Sequence, residues 1–538
     1  IKKQKHYLYE AYNDTTCLVE LDEEPPGPVS TAALQAALQV AKHLNMDIFD
    51  QIRFMRKTVV NGSNTSGFQR TGQVAANCEL QLPNGLTVGV ETICLEEDSC
   101  KDVEQLSTYT RYNLSRLGIP LIELATAPDI HTPQDIKIVA EHIGMIMRSL
   151  DTVKRGLGTI RQDVNISIAK GVRVEIKGAQ DLKTLPNLAE NEMLRQHNLL
   201  EIFEELKKRR ATVGQEVVDV TSLFKTSESK VIAQALNKKN GVVLALPLKG
   251  FAGITKLELQ PRRRYGSELS DYAKVMGVKG LFHADELPNY GISQQEKDQL
   301  FKKLNLDTTK DNYLLLADEK TVATRALKAA QERAADFTLR KEVRNAKPHA
   351  TSVYIRPMPG AARMYPETDV MPYTVDKETI RPIKLLSERI GELKKKFGLA
   401  EEIIKRLIKD GIDIEALAKS YPNIKPSYFV EYYYSVPKQV EKETGKAVAI
   451  HEREAMHFSL LNEGKITPEG IVSSTTALAR GEHVNYDDYK PLRVEEIKED
   501  VRKIVDDMKG APLGAIMGKV MSTYQGRIDG KTLSQLVR

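Results

Sequence analysis

Alternation of apolar and polar residues is sharpest in one short stretch of this chain. From Thr159 to Ile168, Ile160, Val164, Ile166 and Ile168 fall on one side. Arg161, Asp163, Asn165 and Ser167 fall on the other, with Gln162 the one polar residue on the apolar side. Ala169-Lys170-Gly171 then reads as a three-residue turn with glycine at a position of positive φ. The return strand sets Val172, Val174 and Ile176 on the apolar face and Arg173, Glu175 and Lys177 on the polar one. Pairing Ile168 with Val172 places Asp163 opposite Lys177, Asn165 opposite Glu175 and Ser167 opposite Arg173. The expected product is a polar array over a hydrophobic floor, with Arg161 at its end.

Other segments alternate between strand and helix patterns up to residue 212. Cys78 to Leu82 and Leu86 to Leu95 flank Pro83-Asn84-Gly85, a hairpin signal. Thr132 can cap a helix that has Pro133 at its first position and Asp135 as capping-box acid. Ile136, Val139, Ile143 and Ile146 follow at helical spacing. A second helix is expected from about Asn187 to Arg210, its Lys207-Lys208-Arg209-Arg210 end matching the negative pole of the helix dipole. From 213 to 347, Val242–Leu248, Lys256–Gln260, Gly280–His283 and Tyr313–Ala317 read as strands and Lys320–Phe337 as a helix. Tyr354 to Val375 has loop and strand character, and from Lys384 onward the pattern is mostly helical. The fold class predicted is multidomain α+β.

Composition narrows the options. The 538 residues suggest roughly three or four domains. Apolar residues at 41% and charged residues at 28% are globular proportions. A net charge of +5 excludes a histone-like cation, though a local basic face remains open. Four cysteines without a CxxC pair argue against a disulfide scaffold and for a reducing, cytoplasmic setting. No apolar run approaches the ~18 residues of a membrane span, and the polar opening from Ile1 to Glu10 is no signal peptide. A start at Ile1 rather than Met suggests that the N-terminus was processed or a leading piece is absent.

Two motif look-alikes fail on spacing. Gly526 to Thr532 resembles a P-loop, but its first glycine is one residue too close to the Gly-Lys-Thr. His451-Glu452 with His457 resembles a zinc-protease helix, whose second histidine belongs where Ala455 stands. The carboxylates are more telling. Leu95-Glu96-Glu97-Asp98 ends a strand, and Glu123 interrupts the apolar run Ile119–Ala125. A buried Glu needs a partner or a metal; a strand-edge Glu reaching solvent is the bland alternative. Acids on neighbouring strands beside lysine and arginine are what a Mg²⁺–phosphate site requires, with Lys177 and Arg161 to neutralise phosphoryl oxygens. A solvated face of paired charges is the plain alternative for that array. The small-polar loop Ser63–Gly72, with Gly67, Gln69 and Arg70, could offer backbone N–H groups to phosphate or be an exposed connection. Residues 511–538 hold Lys519, Arg527, Lys531 and Arg538 against Asp529 alone, a basic bias that fits nucleic acid. Gly514 and Gly518 share a helix face there, which also fits helix packing.

Several long strings carry a resemblance: CLVELDEEPP (17–26), GSNTSGFQRT (62–71), LEED (95–98), RLGIPLIE (116–123), RGLGTIRQDVNIS (155–167), EIKG (175–178), RMYPETD (363–369), GKVM (518–521) and GRIDGK (526–531). Through them the chain resembles the family of archaeal glutamyl-tRNA(Gln) amidotransferase E subunits (GatE), relatives of the bacterial and organellar B subunits. The resemblance implies a catalytic cradle over 1–212 with a return segment at 348–385. It also implies an inserted α+β domain like that of aspartyl-tRNA synthetases (GAD-type) over 213–347. A helical domain over 386–450 and a YqeY-like, tRNA-binding tail over 451–538 complete the set. Glu97 and Glu123 fall on the family's acidic Mg²⁺ positions, and Asp163 and Lys177 in its cradle hairpin, with Arg161 at the end of the polar array as the third catalytic candidate. Ser63, Gly67, Gln69 and Arg70 would contact ATP, and Lys519, Arg527 and Lys531 would contact tRNA. The family's leading Gly-Leu-Glu-Ile-His motif has no counterpart in this sequence.

The implied activity is phosphorylation by Mg²⁺-ATP of the γ-carboxylate of Glu-tRNA(Gln), followed by amidation. Ammonia would come from an asparaginase-like partner, the D subunit, in a dimer of heterodimers, since no nucleophile in this chain sits in a triad setting. A non-catalytic tRNA-binding scaffold is the alternative.

Overall fold

The Asn-Gly hairpin forms as its sequence predicts. Gly85 takes φ +85°, and the flanking segments are long antiparallel strands, Phe68–Gln81 and Thr87–Glu97. The structure, a computed structural model, describes residues 6–106, 108–156, 158–524, 526–528 and 530–537. Asp529 and Arg538 lie outside the described residues. Two compact units make up the chain, 1–383 and 384–538. The first is mixed α+β with several sheets, and the second is helical.

The hairpin is the centre of an antiparallel sheet ordered Met364–Pro366, Phe54–Thr58, Phe68–Gln81, Thr87–Glu97, Pro120–Thr126. Helix Thr31–His43 packs on it through Leu34, Ala37, Leu38 and Val40. Ser30 caps that helix by accepting from the Ala33 N–H.

The second hairpin has the expected register: Val164 faces Ile176, Asn165 faces Glu175 and Ile166 faces Val174. Its apolar side, with Ile166, Val174 and Ile176 buried, rests on Leu185, Leu188 and Ala189. Two expectations are corrected. Regular pairing begins at Val164, because Arg161 is drawn to Asp98 at 3.1 Å and Gln162 donates to the Ala179 carbonyl at 2.8 Å. Ile160 is left exposed rather than on the floor. Gly171 is not among the residues with positive φ. Glycine serves close approach there, since a Cβ would lie 2.1 Å from Gln196 Oε1.

Strand Val174–Lys177 also runs parallel to Glu342–Lys347, which pairs onward with Thr351–Pro357. The last residues of the 213–347 segment therefore belong to the hairpin's sheet. The rest of that segment has its own sheet, centred on Gly241–Lys249 and Asn312–Glu319. Both strands are buried on both faces. Leu244, Leu246, Leu314 and Leu316 enter one core with helices Tyr265–Lys274 and Lys320–Ala334. Val243, Ala245, Tyr313 and Leu315 enter the other. Two-sided burial explains the near-continuous apolar run from Val242 to Leu246.

One helix, Leu185–Lys208, joins these parts. Its first turns supply Leu185, Leu188 and Ala189 to the hairpin floor, and its last supply Leu199, Ile202, Phe203 and Leu206 to the core of the inserted segment. Between them Glu192, Arg195 and Gln196 are buried.

In the second unit, one core gathers side chains from Ile390 to Ile471, so packing does not divide at 450. A further core, from Ile497 to Val537, holds helices Val494–Asp507, Leu513–Thr523 and Gly530–Val537. Among the described residues no helix is long and apolar enough to cross a membrane.

His457 of the dismissed zinc look-alike is buried, its two ring nitrogens 3.0 Å from the hydroxyls of Tyr432 and Tyr486. Burial, aided by Arg453, pushes its pKa from 6.5 down to about 4. The unfolded chain therefore takes up this proton first as pH falls. The neutral histidine's contribution is complete above pH 6.5 and is lost as pH falls towards 4. That loss is on the order of 3 kcal/mol. The thermal midpoint of the helical unit in the full chain is expected to fall across that window. His457→Gln is expected to be less stable at neutral pH but to show a shallower fall; differential scanning calorimetry at several pH values checks both.

Candidate functional site

Strand parity sorts the polar residues of the central sheet into two groups. Cys94 faces Glu123 and Glu96 faces Leu121 across one strand pair, while Thr71 faces Glu96 and Lys57 faces Gln69 across others. Lys57, Gln69, Thr71, Cys94, Glu96 and Glu123 therefore share one face. Arg56, Phe68, Arg70 and Glu97 share the opposite face.

On the first face, Lys57 Nζ sits 2.9 Å from Glu96 Oε1. Glu96 and Glu123 share a hydrogen bond, and Asp163 of the second hairpin is close enough to act on Glu123 electrostatically. Lys177 Nζ closes the chain at 2.6 Å from Asp163 and 2.8 Å from Glu175. Burial, with Glu96 and Asp163 adding to it against Lys57, lifts Glu123 to about 7. Burial alone would lower the Lys177 pKa, but its two carboxylate partners raise it. Cys94, held among Glu123 and Glu96, is pushed up chiefly by burial to about 11, so its thiol stays protonated. With all four carboxylates ionised, two ammonium groups would leave two negative charges uncompensated; near pH 7 Glu123 holds its proton about half the time and the excess is smaller.

On the second face, Arg56 makes a bidentate pair with Glu367 at 2.7 and 2.8 Å, reaches Asp369, and lies over the Phe68 ring at 4.1 Å. Those hydrogen bonds hold the guanidinium pKa above its usual value. Arg70 grips Glu97, with Nε 2.8 Å from Oε1, and donates to the Gly27 carbonyl at 2.7 Å. Arg56, Phe68, Arg70, Glu97 and Asp369, with the loop residues Asn64, Thr65 and Ser66, line a cavity of about 420 Å³, to which Glu20, Asp22, Glu23 and Glu24 also contribute.

The structure thus brings Glu123, Asp163 and Lys177 together, keeps Gln69 on the face of Glu123, and sets Glu97 and Arg70 on the opposite face. Glu97 points to the opposite face and is engaged by Arg70; Glu96 stands beside Glu123 instead. The expectation of Glu97 as the partner acid is corrected by parity, because Glu97 faces Pro120 and not the Cys94–Glu123 register. Arg161 binds Asp98, which Arg116 also holds at 3.2 Å, and is not part of the lysine–carboxylate chain. Of the expected phosphate contacts, Arg70 lines the cavity. Ser63 Oγ is turned to Asn61 at 2.8 Å. Gly67, at φ +75°, closes the loop by accepting from the Val59 N–H at 2.8 Å. Gln69 donates to the Glu97 carbonyl. Lys519 and Lys531 are exposed on the last helices, while Arg527 Nε donates to the Lys490 carbonyl at 3.2 Å. A Cβ added at Gly514 or Gly518 would meet nothing within 4 Å, so no helix is packed there among the described residues.

Lys57, Glu96, Arg56, Glu367 and Asp369 were not singled out from sequence. The last two lie in the RMYPETD string, and Glu96 adjoins the residue that was chosen; only the register reveals which acid faces Glu123. Among the described residues, no group of three or more His, Cys, Asp or Glu is arranged to enclose a metal ion. The Glu96–Glu123 pair, short of compensating charge, does fit a hard cation that takes one or two carboxylates and leaves its other positions to phosphate and water.

Residues 3–381 match the GatB/GatE catalytic domain. The whole chain is 43% identical to the glutamyl-tRNA(Gln) amidotransferase E subunit of Methanocaldococcus jannaschii, in an alignment covering 100% of this chain and 89% of that protein. The corresponding E subunits of Thermococcus sibiricus and Archaeoglobus fulgidus are 42% and 40% identical, each over 100% of this chain and 88% of their own length. The chain belongs to the GatB/GatE family.

Glu96→Gln removes a like charge from Glu123 and is expected to bring its pKa below 7 towards the usual carboxylate range. Lys57→Met is expected to move it the other way. Isotope-edited infrared titration of the glutamate carboxyls, without added metal, measures both shifts.

Proposed function

We propose that this chain is the subunit of a tRNA-dependent amidotransferase that converts Glu-tRNA(Gln) to Gln-tRNA(Gln). It uses ATP and ammonia delivered by an asparaginase-like partner, the D subunit. The observation that carries the reading is the lysine–carboxylate chain from Lys57 to Lys177, in which the carboxylates outnumber the ammonium groups. That the relatives are glutamyl-tRNA(Gln) amidotransferase E subunits supports the substrate and the multisubunit setting.

A γ-carboxylate does not react with ammonia at useful rates, because its oxygen is a poor leaving group and the anion repels nucleophiles. Transfer of the γ-phosphoryl of ATP to that oxygen gives an acyl phosphate and ADP. The nitrogen lone pair of ammonia then attacks the acyl carbon, the C–O bond breaks, phosphate leaves and the nitrogen loses a proton. Glu96 and Glu123 are the proposed Mg²⁺ ligands, and the ion would offset charge on the nucleotide phosphates. Lys57 orients Glu96; Asp163 and Glu175 hold Lys177 in place to meet phosphoryl oxygens. Cys94, being protonated, adds no further negative charge. Ser63, Gly67, Gln69 and Arg70 are the proposed nucleotide contacts; of these Gln69 shares the face of Glu96 and Glu123, while Arg70, with Asn64, Thr65 and Ser66, lines the cavity on the opposite face. Glu97 and Arg161 act behind them, the first by fixing Arg70 and the second by fixing Asp98. Lys519, Arg527 and Lys531 are the proposed tRNA contacts. The assembly is proposed to be a dimer of heterodimers in the cytoplasm. Because ammonia is protonated in open water, its route between subunits must be closed.

Glu123→Gln is expected to abolish Glu-tRNA-dependent ATP hydrolysis and amidation, even with ammonium chloride as nitrogen source, while tRNA binding persists. Retained amidation removes Glu123 from the centre, and a wild-type complex without Glu-tRNA-dependent ATP hydrolysis favours a scaffold role. Deleting residues 511–538 is expected to weaken tRNA binding and flatten its salt dependence. An unchanged slope in filter-binding titrations would remove the tail from the tRNA contacts.

A further inference from the structure

Deep in the first unit lies a buried ionic network remote from both polar faces. Glu192 and Arg195 come from helix Leu185–Lys208, and Glu268 and Tyr272 from helix Tyr265–Lys274. Arg333 comes from helix Lys320–Ala334, and Glu342 and Arg344 from strand Glu342–Lys347. The six charged side chains are at most 3% exposed. Arg195 pairs with Glu192 at 2.8 and 2.9 Å, with Glu268 at 2.8 Å and with Glu342 at 3.3 Å. Arg344 pairs with Glu342 at 2.5 Å and Glu268 at 3.1 Å, and donates to Ser352 Oγ at 2.8 Å. Three arginines and three glutamates balance, so the cluster needs no ligand. Such a cluster is weak evidence for stability but defines geometry sharply, since losing one partner strands a buried charge.

Its outlet is Gln196. Gln196 Nε2 donates to Glu192 Oε1 at 3.0 Å, and Oε1 accepts from the Val172 N–H at 3.1 Å. Val172 follows the turn of the hairpin that carries Lys177. The turn is fitted closely here, because at Gly171 a Cβ would stand 2.1 Å from Gln196 Oε1 and 2.6 Å from Ile168 Cγ1. On the other side of the hairpin, Arg344 faces Ile176 and Asn345 faces Lys177 in the parallel pairing. A continuous buried path therefore runs from the inserted segment, through Glu268, Arg195, Glu192 and Gln196, to the hairpin's turn.

We infer that Gln196 is a positioning residue, which transmits the placement of the inserted segment to the hairpin and so fixes Lys177 and Asp163 against Glu123. The inference rests on the proposed reaction for its kinetic consequence, but its structural half stands apart. Misplacing a group by about 1 Å costs rate on the order of a hundredfold while leaving distant binding contacts intact.

The test compares Gln196→Ala, Gly171→Ala and their double variant with Leu316→Ala. Leu316 is a buried core residue of the inserted segment and serves as a control for plain destabilisation. In the assembled amidotransferase, Gln196→Ala and Gly171→Ala are each expected to lower kcat for Glu-tRNA-dependent ATP hydrolysis roughly ten- to a hundredfold. KM for Glu-tRNA should change less than about twofold, and the double variant should lose less than the product of the two single losses, because truncating Gln196 relieves the 2.1 Å contact and leaves only the 2.6 Å contact with Ile168 Cγ1. Leu316→Ala should lower the thermal midpoint with kcat retained below that midpoint. Amide hydrogen exchange at Val172 and Val174–Lys177, read without any assay of activity, should quicken in the first two variants and not in Leu316→Ala. Unchanged exchange at the hairpin, losses that multiply in the double variant, or equal kcat losses in Leu316→Ala would overturn the positioning role. Quickened exchange in a complex whose wild type hydrolyses no ATP with Glu-tRNA would instead count against the proposed reaction alone.

Discussion

One helix must serve two hydrophobic cores, and that constraint shapes the first unit. Helix Leu185–Lys208 buries its early turns under the hairpin and its late turns in the inserted segment. At the crossing the interior is filled by paired charges, with the Arg333 guanidinium lying over the Phe203 ring at 5.2 Å. Isolated, any of them would be intolerable there; together they are charge-balanced and, apart from Arg333, whose Nε stands 3.9 Å from Glu268 without a hydrogen bond, joined by hydrogen bonds. The arrangement ties three helices and one strand to a single geometry, on which the hairpin's polar face depends.

The central sheet applies the two-residue period of β structure to sort chemistry. Adjacent acids, Glu96 and Glu97, are sent to opposite sides and meet different fates. Glu97 is neutralised by an arginine fork. Glu96 joins Glu123 in a pair that lysines compensate only in part, so its carboxyls remain hungry for positive charge. A single slip of register would exchange these roles.

What the sequence revealed follows from how local each signal is. The register of the 164–177 hairpin was legible because alternation and a short turn determine it together. The helix cap at Thr132 and the turn at Gly85 were legible for the same reason. Glu123 drew notice as an acid in an apolar run. The choice between Glu96 and Glu97 was not legible, since it depends on pairing with a strand more than twenty residues away. Glu192 and Arg195 look like a solvated pair three residues apart on a helix; only Glu268 and Glu342, brought from distant segments, make them interior. The role of Gly171 was misjudged because its neighbour, Gln196, lies on another element. The resemblance carried by the long strings reached the family directly, where period and composition alone stopped at a charged β surface.

The parallel pairing of Val174–Lys177 with Glu342–Lys347 has a consequence for synthesis. A ribosome releases the lysine-bearing strand well before its neighbour, with the whole inserted segment still to be translated. Until then that strand is an open edge, able to recruit any passing backbone. Closure joins residues far apart in the chain, a contact whose entropic cost is offset once the intervening segment has folded and drawn its own ends together. The insertion thereby acts as an internal clamp: its completion delivers the missing strand, and the chemistry-bearing ribbon becomes a finished sheet only after it.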